Sequence, residues 1–247
     1  MLNPPRVVLV EDDAAVRRFV GMALSEMDVE LIECASAEEA LVALRTRPAQ
    51  LVITDLTLPG ASGVSLIEQL THDAGANRAA KVVVFSGGLH SAMRDRLKAL
   101  GVWRCLPKPA SLSELDAVVR EGLDLLNWPD QPEQASLMHH SGLQPHELTA
   151  IETYFDGDRQ FYETYRDSCI AQFHVDINEG DVACQAGDAV SLRRTAHSLK
   201  SVLQTLGYAD HSVCAKALED AAQHQPWPTA EAGWRELRDR MVNSFRL

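Results

Sequence analysis

The sequence lacks any long hydrophobic run. No apolar segment approaches the roughly 20 residues that a membrane-spanning helix requires, and the first residues lack the basic and apolar regions of a signal peptide. A strongly basic surface is also missing, because the 247 residues carry a formal net charge of -12 and both halves of the chain are acidic. These absences argue against a membrane protein and against nucleic acid as a primary partner, and they predict a cytoplasmic protein.

The sequence also lacks the cysteine patterns of disulfide frameworks and zinc sites. Its five cysteines are odd in number, show no CxxC spacing and lie mostly within periodic segments. Such cysteines are typical of free thiols in a reducing compartment. We therefore expect buried free thiols at Cys34, Cys105, Cys169, Cys184 and Cys214.

The first half of the chain alternates short apolar runs with amphipathic stretches. Five such β-α repeats predict an α/β fold, a doubly wound parallel five-stranded sheet with helices on both faces. Ser36 and Ser111 precede two of the helices as expected N-caps. The predicted strands are 6–10, 29–34, 51–54, 81–86 and 102–106, and the predicted helices are about 14–27, 37–47, 63–73, 90–100 and 111–127.

The second half of the chain has no strand signals after Gly142. Its periodicity predicts an all-α four-helix bundle with a short entry helix. The predicted helices are 144–156, 159–179, 188–207, 209–224 and 229–245.

Between the two halves, prolines and polar residues without periodicity predict a linker. We therefore divide the chain into a first domain at 1–127, a linker at 128–142 and a second domain at 143–247. The linker contains His139 and His140. Two adjacent histidines on such a segment are usually solvated, so we assign them no metal.

The ends of the predicted strands carry the side chains of a phosphate-and-metal site. Glu11 and Asp12 follow the first strand, Asp55 follows the third, Ser86 ends the fourth and Lys108 follows the fifth. Because open α/β sheets bind ligands at the carboxyl ends of their strands, these groups should meet at one edge. A lone aspartate there would usually just begin a loop. The set as a whole instead predicts a reactive site.

Each group in this set has a plausible chemical task. Glu11, Asp12 and Asp55 offer hard oxygen ligands for Mg2+. Beside such a metal, Asp55 can attack a phosphoryl donor and become an acyl phosphate. Lys108 and the Ser86 hydroxyl can hold the remaining phosphoryl oxygens. The Lys108-Pro109 bond is a candidate cis peptide.

Residues 5 to 125 resemble the receiver domain of two-component response regulators. The resemblance rests on Glu11-Asp12, on Asp55 followed by Pro59-Gly60 and Gly63, on Ser86 and on Lys108-Pro109. It implies a flavodoxin-like sheet of order 2-1-3-4-5. It also implies that Asp55 is the phosphoacceptor, that Ser86 shifts toward the new phosphate and that the backbone carbonyl of Thr57 binds Mg2+. A flavin site on the same fold is disfavoured, since a flavin phosphate would meet clustered carboxylates.

One position departs from the receiver pattern. Receivers usually carry a Tyr or Phe three residues before the lysine, and this side chain swings inward when the Thr or Ser moves. Here that position is Cys105, and the nearest aromatic is Trp103. We therefore expect phosphorylation without the usual aromatic readout.

In the second domain, His197 lies on a predicted helix. The helix has a core stripe about 130° from His197 by helical geometry, so we expect the imidazole to be exposed. A lone exposed histidine usually has no task. This one is surrounded in sequence by cations and hydrogen-bonding side chains, namely Arg193, Arg194, Lys200, Ser201 and Gln204.

The run from Ala196 to Ser201 resembles the motif of the histidine phosphotransfer (HPt) domain, over about residues 143 to 246. The resemblance implies that His197 carries a phosphoryl group on Nε2 and that Lys200 helps to neutralise it. Ser201 stands where the family usually has Gly, a small replacement that should still admit a partner. We find no Gly-rich nucleotide motif, so His197 is not expected to take phosphate from ATP by itself.

Together the two resemblances predict a phosphorelay intermediate whose partners are a sensor histidine kinase and other receiver or HPt domains. A flexible linker of this length spans roughly 20 Å on average, which permits transfer between Asp55 and His197 and equally permits separate partners. The alternative is a binding switch, in which the receiver gates a helical interaction domain that relays no phosphate. The departures at Cys105 and Ser201 motivate this alternative.

Overall fold

The computed structural model describes residues 4–72, 79–125 and 143–247. The predicted linker 128–142, with His139 and His140, lies outside these residues. The chain divides into two compact units, Met1–Glu133 and Gln134–Leu247. Each unit is described by itself below.

The first unit is built on a five-stranded parallel sheet of order β2-β1-β3-β4-β5, which confirms the predicted fold and strand order. Its central strands are fully buried, as their unbroken apolar runs predict for a sheet covered on both faces. The strands are β1 Arg6–Val10, β2 Glu30–Cys34, β3 Leu51–Thr54, β4 Lys81–Ser86 and β5 Arg104–Pro107.

Five helices cover this sheet, and their first turns are capped by side chains. Asp13 begins α1 by accepting from the amides of Ala15 and Val16. Ser111 begins α5 in a capping box with Glu114, and Ser36 caps α2, so both predicted caps are confirmed. The first and last helices end earlier than predicted. The helices are α1 Ala14–Ala23, α2 Ala37–Thr46, α3 Gly63–His72, α4 Ser91–Ala99 and α5 Leu112–Gly122.

The second unit is helical throughout its described residues, as predicted. Helix α8 packs against both α7 and α9, and α10 packs against α9 and α7, so these four helices form a bundle that α6 precedes. The helices are α6 Pro145–Tyr154, α7 Arg159–Ala186, α8 Ala189–Thr205, α9 Ala209–His224 and α10 Trp227–Phe245.

Two predicted helix ends in this unit are wrong for identifiable reasons. Helix α7 continues past 179 because Gly180 lies under the buried ring of Trp234, whose Nε1 donates to Asp181 at 2.8 Å. The helix ends instead at Gly187, which adopts the left-handed conformation at φ 67°. Helix α10 begins two residues before the predicted 229 because Pro228 fits the first helical turn.

The cysteines only partly match expectation. All five are free, as predicted, but only Cys34 and Cys169 are buried, while Cys105, Cys184 and Cys214 are half-buried. Within the described ranges, no helix has both the length and the apolar character needed to cross a membrane.

The contact between Gly180 and Trp234 gives a stability prediction. A Cβ at Gly180 would lie 2.2 Å from the Trp234 ring, so Gly180→Ala should destabilise the helical unit by about 1–3 kcal/mol through overpacking. Gly233→Ala is the matched control, because its Cβ would meet only Leu218 at 3.4 Å and should gain helix propensity. Urea unfolding followed by NMR of the helical amides measures both. Equal stability of the two variants would contradict this packing.

Candidate functional site

Three buried charged side chains meet at the C-terminal edge of the sheet. Glu11 follows β1, Asp55 follows β3 and Lys108 follows β5. The Lys108 ammonium donates to Glu11 Oε2 and, at 2.7 Å, to Asp55 Oδ2. The side chains of Lys108, Glu11 and Asp55 are 3%, 2% and 1% exposed. The structure therefore brings together three of the side chains that the sequence places at strand ends.

The backbone around Asp55 fixes its carboxylate. Its Oδ1 accepts from the amides of Leu56 and Thr57, the latter at 3.2 Å. A Cβ on Gly63 would lie 1.9 Å from the Asp55 carbonyl oxygen, so only glycine allows α3 to begin against this carbonyl. One carboxylate oxygen is thus held by loop amides and the other by Lys108.

Ser86 lies beside this cluster at the end of β4. Its backbone carbonyl accepts from the Lys108 amide at 3.2 Å, and the Lys108-Pro109 bond is cis, as predicted. The Ser86 hydroxyl is buried and has no hydrogen-bond partner among the residues that the structure describes. A buried hydroxyl without a partner is costly, and a phosphoryl oxygen would supply one.

With both carboxyl groups ionised, the cluster would carry more negative than positive charge. Burial raises the pKa of Glu11 to about 8, the Lys108 ammonium opposes this rise, and the carboxylates of Asp55 and Asp13 add to it. Burial alone would lower the pKa of Lys108, but Glu11 and Asp55 outweigh it and raise the pKa. Two buried carboxyl groups therefore share one ammonium, Glu11 resists ionisation, and a further cation would stabilise its ionised form.

The donor set fits Mg2+ only in part. Among the described residues no three His, Cys, Asp or Glu side chains are gathered as metal ligands. Asp12 is half-buried beside Glu11, and Thr57 contacts Asp55 through its amide. Mg2+ usually binds through one or two carboxylates and keeps several waters or phosphate oxygens. Glu11 and Asp55 provide two such carboxyl groups side by side, so they fit the protein share of a Mg2+ site.

Cys105 and Trp103, which stand near the position that departs from the receiver pattern, make contacts elsewhere in the first unit. Cys105 is half-buried and packs on the core that α3 and α4 cover. The Trp103 ring lies under two cations, Lys81 at 5.3 Å and Arg104 at 4.7 Å from its centroid. Neither residue places an aromatic ring at the position where receivers usually carry one.

In the second unit, His197 on α8 forms a charged triad with two other side chains. Its Nδ1 lies 2.6 Å from Glu219 Oε1, and Lys200 Nζ donates to Glu219 Oε2 at 2.6 Å. The His197 side chain is only 12% exposed. The expectation of an exposed imidazole is therefore wrong, because α9 brings Glu219 against the ring.

Glu219 determines which imidazole nitrogen carries the hydrogen-bonded proton. Burial tends to raise the pKa of Glu219, but hydrogen bonds from His197 and Lys200 outweigh it and lower the pKa to about 2. Because an ionised carboxylate only accepts hydrogen bonds, the short contact assigns the proton to Nδ1. A neutral His197 then has its lone pair on Nε2, the nitrogen that the HPt resemblance implies.

The other predicted neighbours of His197 differ in exposure. Arg194 is exposed, Arg193 is half-buried and Ser201 is buried, so the serine at the usual glycine position does not stand in the way of a partner. Glu219 is a partner of His197 that the sequence pattern does not indicate. Its contact with His197 joins two helices across 22 positions, and only knowledge of how α8 and α9 pack could have revealed it.

Comparisons with known proteins agree with both units. Residues 7–120 match the family described as response regulator receiver domain, and residues 163–244 match the Hpt domain family. The KDP operon transcriptional regulatory protein KdpE of Escherichia coli (strain K12) is 34% identical over 119 residues, which are 47% of this chain and 50% of KdpE.

Two further similarities differ in extent. The sensory/regulatory protein RpfC of Xanthomonas campestris pv. campestris is 29% identical over 236 residues, which are 92% of this chain and 31% of RpfC. The structure of the chemotaxis response regulator CheY4 of Vibrio cholerae covers 49% of this chain and 99% of its own at 19% identity, with a TM-score of 0.46. The chain spans half or less of the length of these two curated relatives.

The triad predicts an unusual carboxyl titration. In the folded chain Glu219 should titrate near pH 2, well below its ordinary value of 4.5, as followed by carbon NMR of its carboxyl group. The stabilisation is present above pH 4.5 and is lost as the pH falls through 2, because protonated Glu219 loses both partners. Lys200→Met should move the midpoint upward. An ordinary midpoint in the unchanged chain would contradict the triad.

The strand-end cluster predicts that Lys108 stabilises the first unit. Lys108→Met leaves two carboxylates buried without their ammonium and should cost on the order of 3 kcal/mol in urea unfolding, followed by NMR of the sheet amides. Millimolar Mg2+ should restore part of this loss. The exposed Lys98 on α4 provides the control Lys98→Met, which should stay within about 0.5 kcal/mol of the unchanged chain. Equal effects of the two variants would contradict the buried cluster.

Proposed function

We propose that this chain, which joins a response regulator receiver domain to an Hpt domain, is a two-component phosphorelay protein in which Asp55 and His197 each carry a phosphoryl group. The observation that carries the proposal is that one chain contains both a buried Asp55 bonded to an ammonium and a histidine whose Nδ1 is hydrogen-bonded to Glu219. Each arrangement supports a phosphoacceptor role, and the two occur in one chain.

In the proposed reaction at Asp55, a carboxylate oxygen attacks the phosphorus of a phosphohistidine, and the bond from phosphorus to the histidine nitrogen breaks. Glu11, Asp12, Asp55 and the Thr57 carbonyl would hold Mg2+, which supplies positive charge to the transferred oxygens. Lys108 already contacts Asp55 and turns toward the new phosphoryl group. The buried Ser86 hydroxyl then donates to one of its oxygens.

At His197 the proposed step uses the lone pair on Nε2. This nitrogen attacks the phosphorus of an aspartyl phosphate, the bond from phosphorus to the carboxylate oxygen breaks, and the aspartate leaves as a carboxylate. The Nδ1 proton stays on its hydrogen bond to Glu219, which stabilises positive charge on the ring. Lys200 lies 3.5 Å from Nδ1 and adds a positive charge near the incoming phosphate.

The partners follow from the two acceptors. A phosphohistidine donor for Asp55 is supplied by a sensor histidine kinase or an Hpt domain, and His197 exchanges phosphate with a receiver domain. A cytoplasmic location and the domain bounds 1–127, 128–142 and 143–247 stay predictions from the sequence.

A second candidate function is the binding switch, and the half-buried Cys105 favours it. Without an aromatic ring to rotate inward, the receiver would report its phosphorylation through other surfaces. In this case phosphorylated Asp55 would change the affinity of the helical unit for a partner, and His197 would carry no phosphate.

One labelling experiment tests the proposal. The full chain is incubated with acetyl phosphate and Mg2+. We expect base-labile phosphate that is lost in Asp55→Asn and acid-labile phosphohistidine that is lost in His197→Gln. Asp95→Asn and His174→Gln alter exposed side chains of the same types and serve as controls. Label on Asp55 alone would favour the binding switch, and no label on Asp55 would sink both functions.

A further inference from the structure

The loop between β3 and α3, residues 56–62, carries a backbone group that the proposed reaction uses. Its Thr57 carbonyl is the one proposed to bind Mg2+ beside Asp55. Contacts within the loop fix its two ends. The amides of Leu56 and Thr57 donate to Asp55 Oδ1, and the Leu56 carbonyl accepts from the Gly63 amide at 3.1 Å. The outer part of the loop must be held by contacts with other elements.

One such contact comes from the first turn of α2. Glu38 lies in that turn, and its Oε1 accepts a hydrogen bond from the Ala61 amide at 3.3 Å, 23 positions along the chain. A Cβ on Gly60 would lie 3.1 Å from the same oxygen, so the carboxylate also packs against the turn of the loop. Leu58 and Ala61 pack on the core to which α2 contributes. The start of α2 therefore supports the loop by packing and by a hydrogen bond to an ionised acceptor.

The neighbouring Glu39 makes the same kind of contact with a different target. Its Oε2 accepts from the Ala35 amide at 2.7 Å, just before its own helix, and its amide donates to the Ser36 hydroxyl that caps the helix. Both glutamates are exposed and lie in the first turn of α2, where a carboxylate favours the helix. The two residues thus contribute alike to α2, but Glu38 is the one that reaches the loop after Asp55.

The position of this loop matters for a metal ligand. Mg2+ requires near-ideal octahedral geometry with oxygens at about 2.0–2.1 Å, so a carbonyl ligand has to be held close to its final place. If the loop were free to move, part of the binding free energy would be spent on ordering it. The hydrogen bond from Ala61, four residues after Thr57, restricts this movement before any ligand binds.

We propose that Glu38 is a positioning residue for the reaction at Asp55. By accepting from the Ala61 amide, it holds the 56–62 loop so that the Thr57 carbonyl stays where Mg2+ binds. It acts through the backbone of the loop and through a neutralisable hydrogen-bond acceptor, not as a ligand. This inference rests on the proposed function, because it concerns the metal and the phosphoryl group at Asp55.

Mg2+ titration of the full chain, followed by NMR shifts of the backbone amides in the 56–62 loop, provides the test. Glu38→Ala removes the acceptor, whereas Glu38→Gln keeps an oxygen acceptor and removes only the charge. Glu39→Ala is the matched control on the same helical turn. Urea unfolding of each variant separates an effect on the loop from a general loss of stability.

We expect Glu38→Ala to raise the half-saturating Mg2+ concentration about threefold, the size of one hydrogen bond of ordinary strength, and to speed hydrogen exchange at the Ala61 amide. Glu38→Gln should restore both values, because its amide oxygen still accepts from Ala61. Glu39→Ala should lose as much stability in urea as Glu38→Ala and leave the Mg2+ titration within error. At low Mg2+, labelling of Asp55 by acetyl phosphate should slow in Glu38→Ala and recover at saturating Mg2+.

Two results would overturn the inference and leave the proposed function standing. Equal Mg2+ titrations of Glu38→Ala and Glu39→Ala would mean that both residues act only through the stability of α2. A loss in Glu38→Gln as large as in Glu38→Ala would mean that charge, and not the hydrogen bond to Ala61, is responsible. Failure of the unchanged chain to accept phosphate at Asp55 would overturn the proposed function and this inference with it.

Discussion

The first unit depends on one constraint: the buried carboxyl groups of Glu11 and Asp55 share a single ammonium, that of Lys108. Glu11 and Asp55 follow neighbouring strands, and Lys108, which follows the edge strand β5, donates to both. The strand order and the loop after β5 place the ammonium beside both carboxyl groups. The start of α3 packs against the Asp55 carbonyl and holds this residue in position. The proposed metal ion and phosphoryl group would complete this cluster by adding positive charge and hydrogen-bond acceptors.

In the helical unit the same carboxylate serves two hydrogen-bond donors. Glu219 is one carboxylate shared by His197 and Lys200, and its pKa, lowered to about 2, keeps it ionised at neutral pH. The bundle thereby holds the imidazole in a fixed orientation, with Nδ1 on Glu219. In both units a buried charge is held by a partner on another element, so the packing of the fold and the reactivity of the site are coupled.

Much of this could be read from the sequence because it rests on local patterns. Apolar runs give buried strands, and a polar residue after each run lies at the same edge once the strands are parallel. The sequence could not show that α7 runs through Gly180, because the reason is the Trp234 ring from another helix. For the same cause it missed the burial of His197 and the role of Glu219, which depend on how α8 meets α9.

The most direct test of the account is fluorine NMR of beryllofluoride, a stable phosphoryl analogue, bound to the full chain. We predict one bound species that requires Mg2+, persists in His197→Gln and disappears in Asp55→Asn, because the buried carboxylate, Lys108 and the metal together form the binding site. Binding without Mg2+, or binding that survives in Asp55→Asn, would contradict the claim that this buried charge cluster is organised around a phosphoryl group.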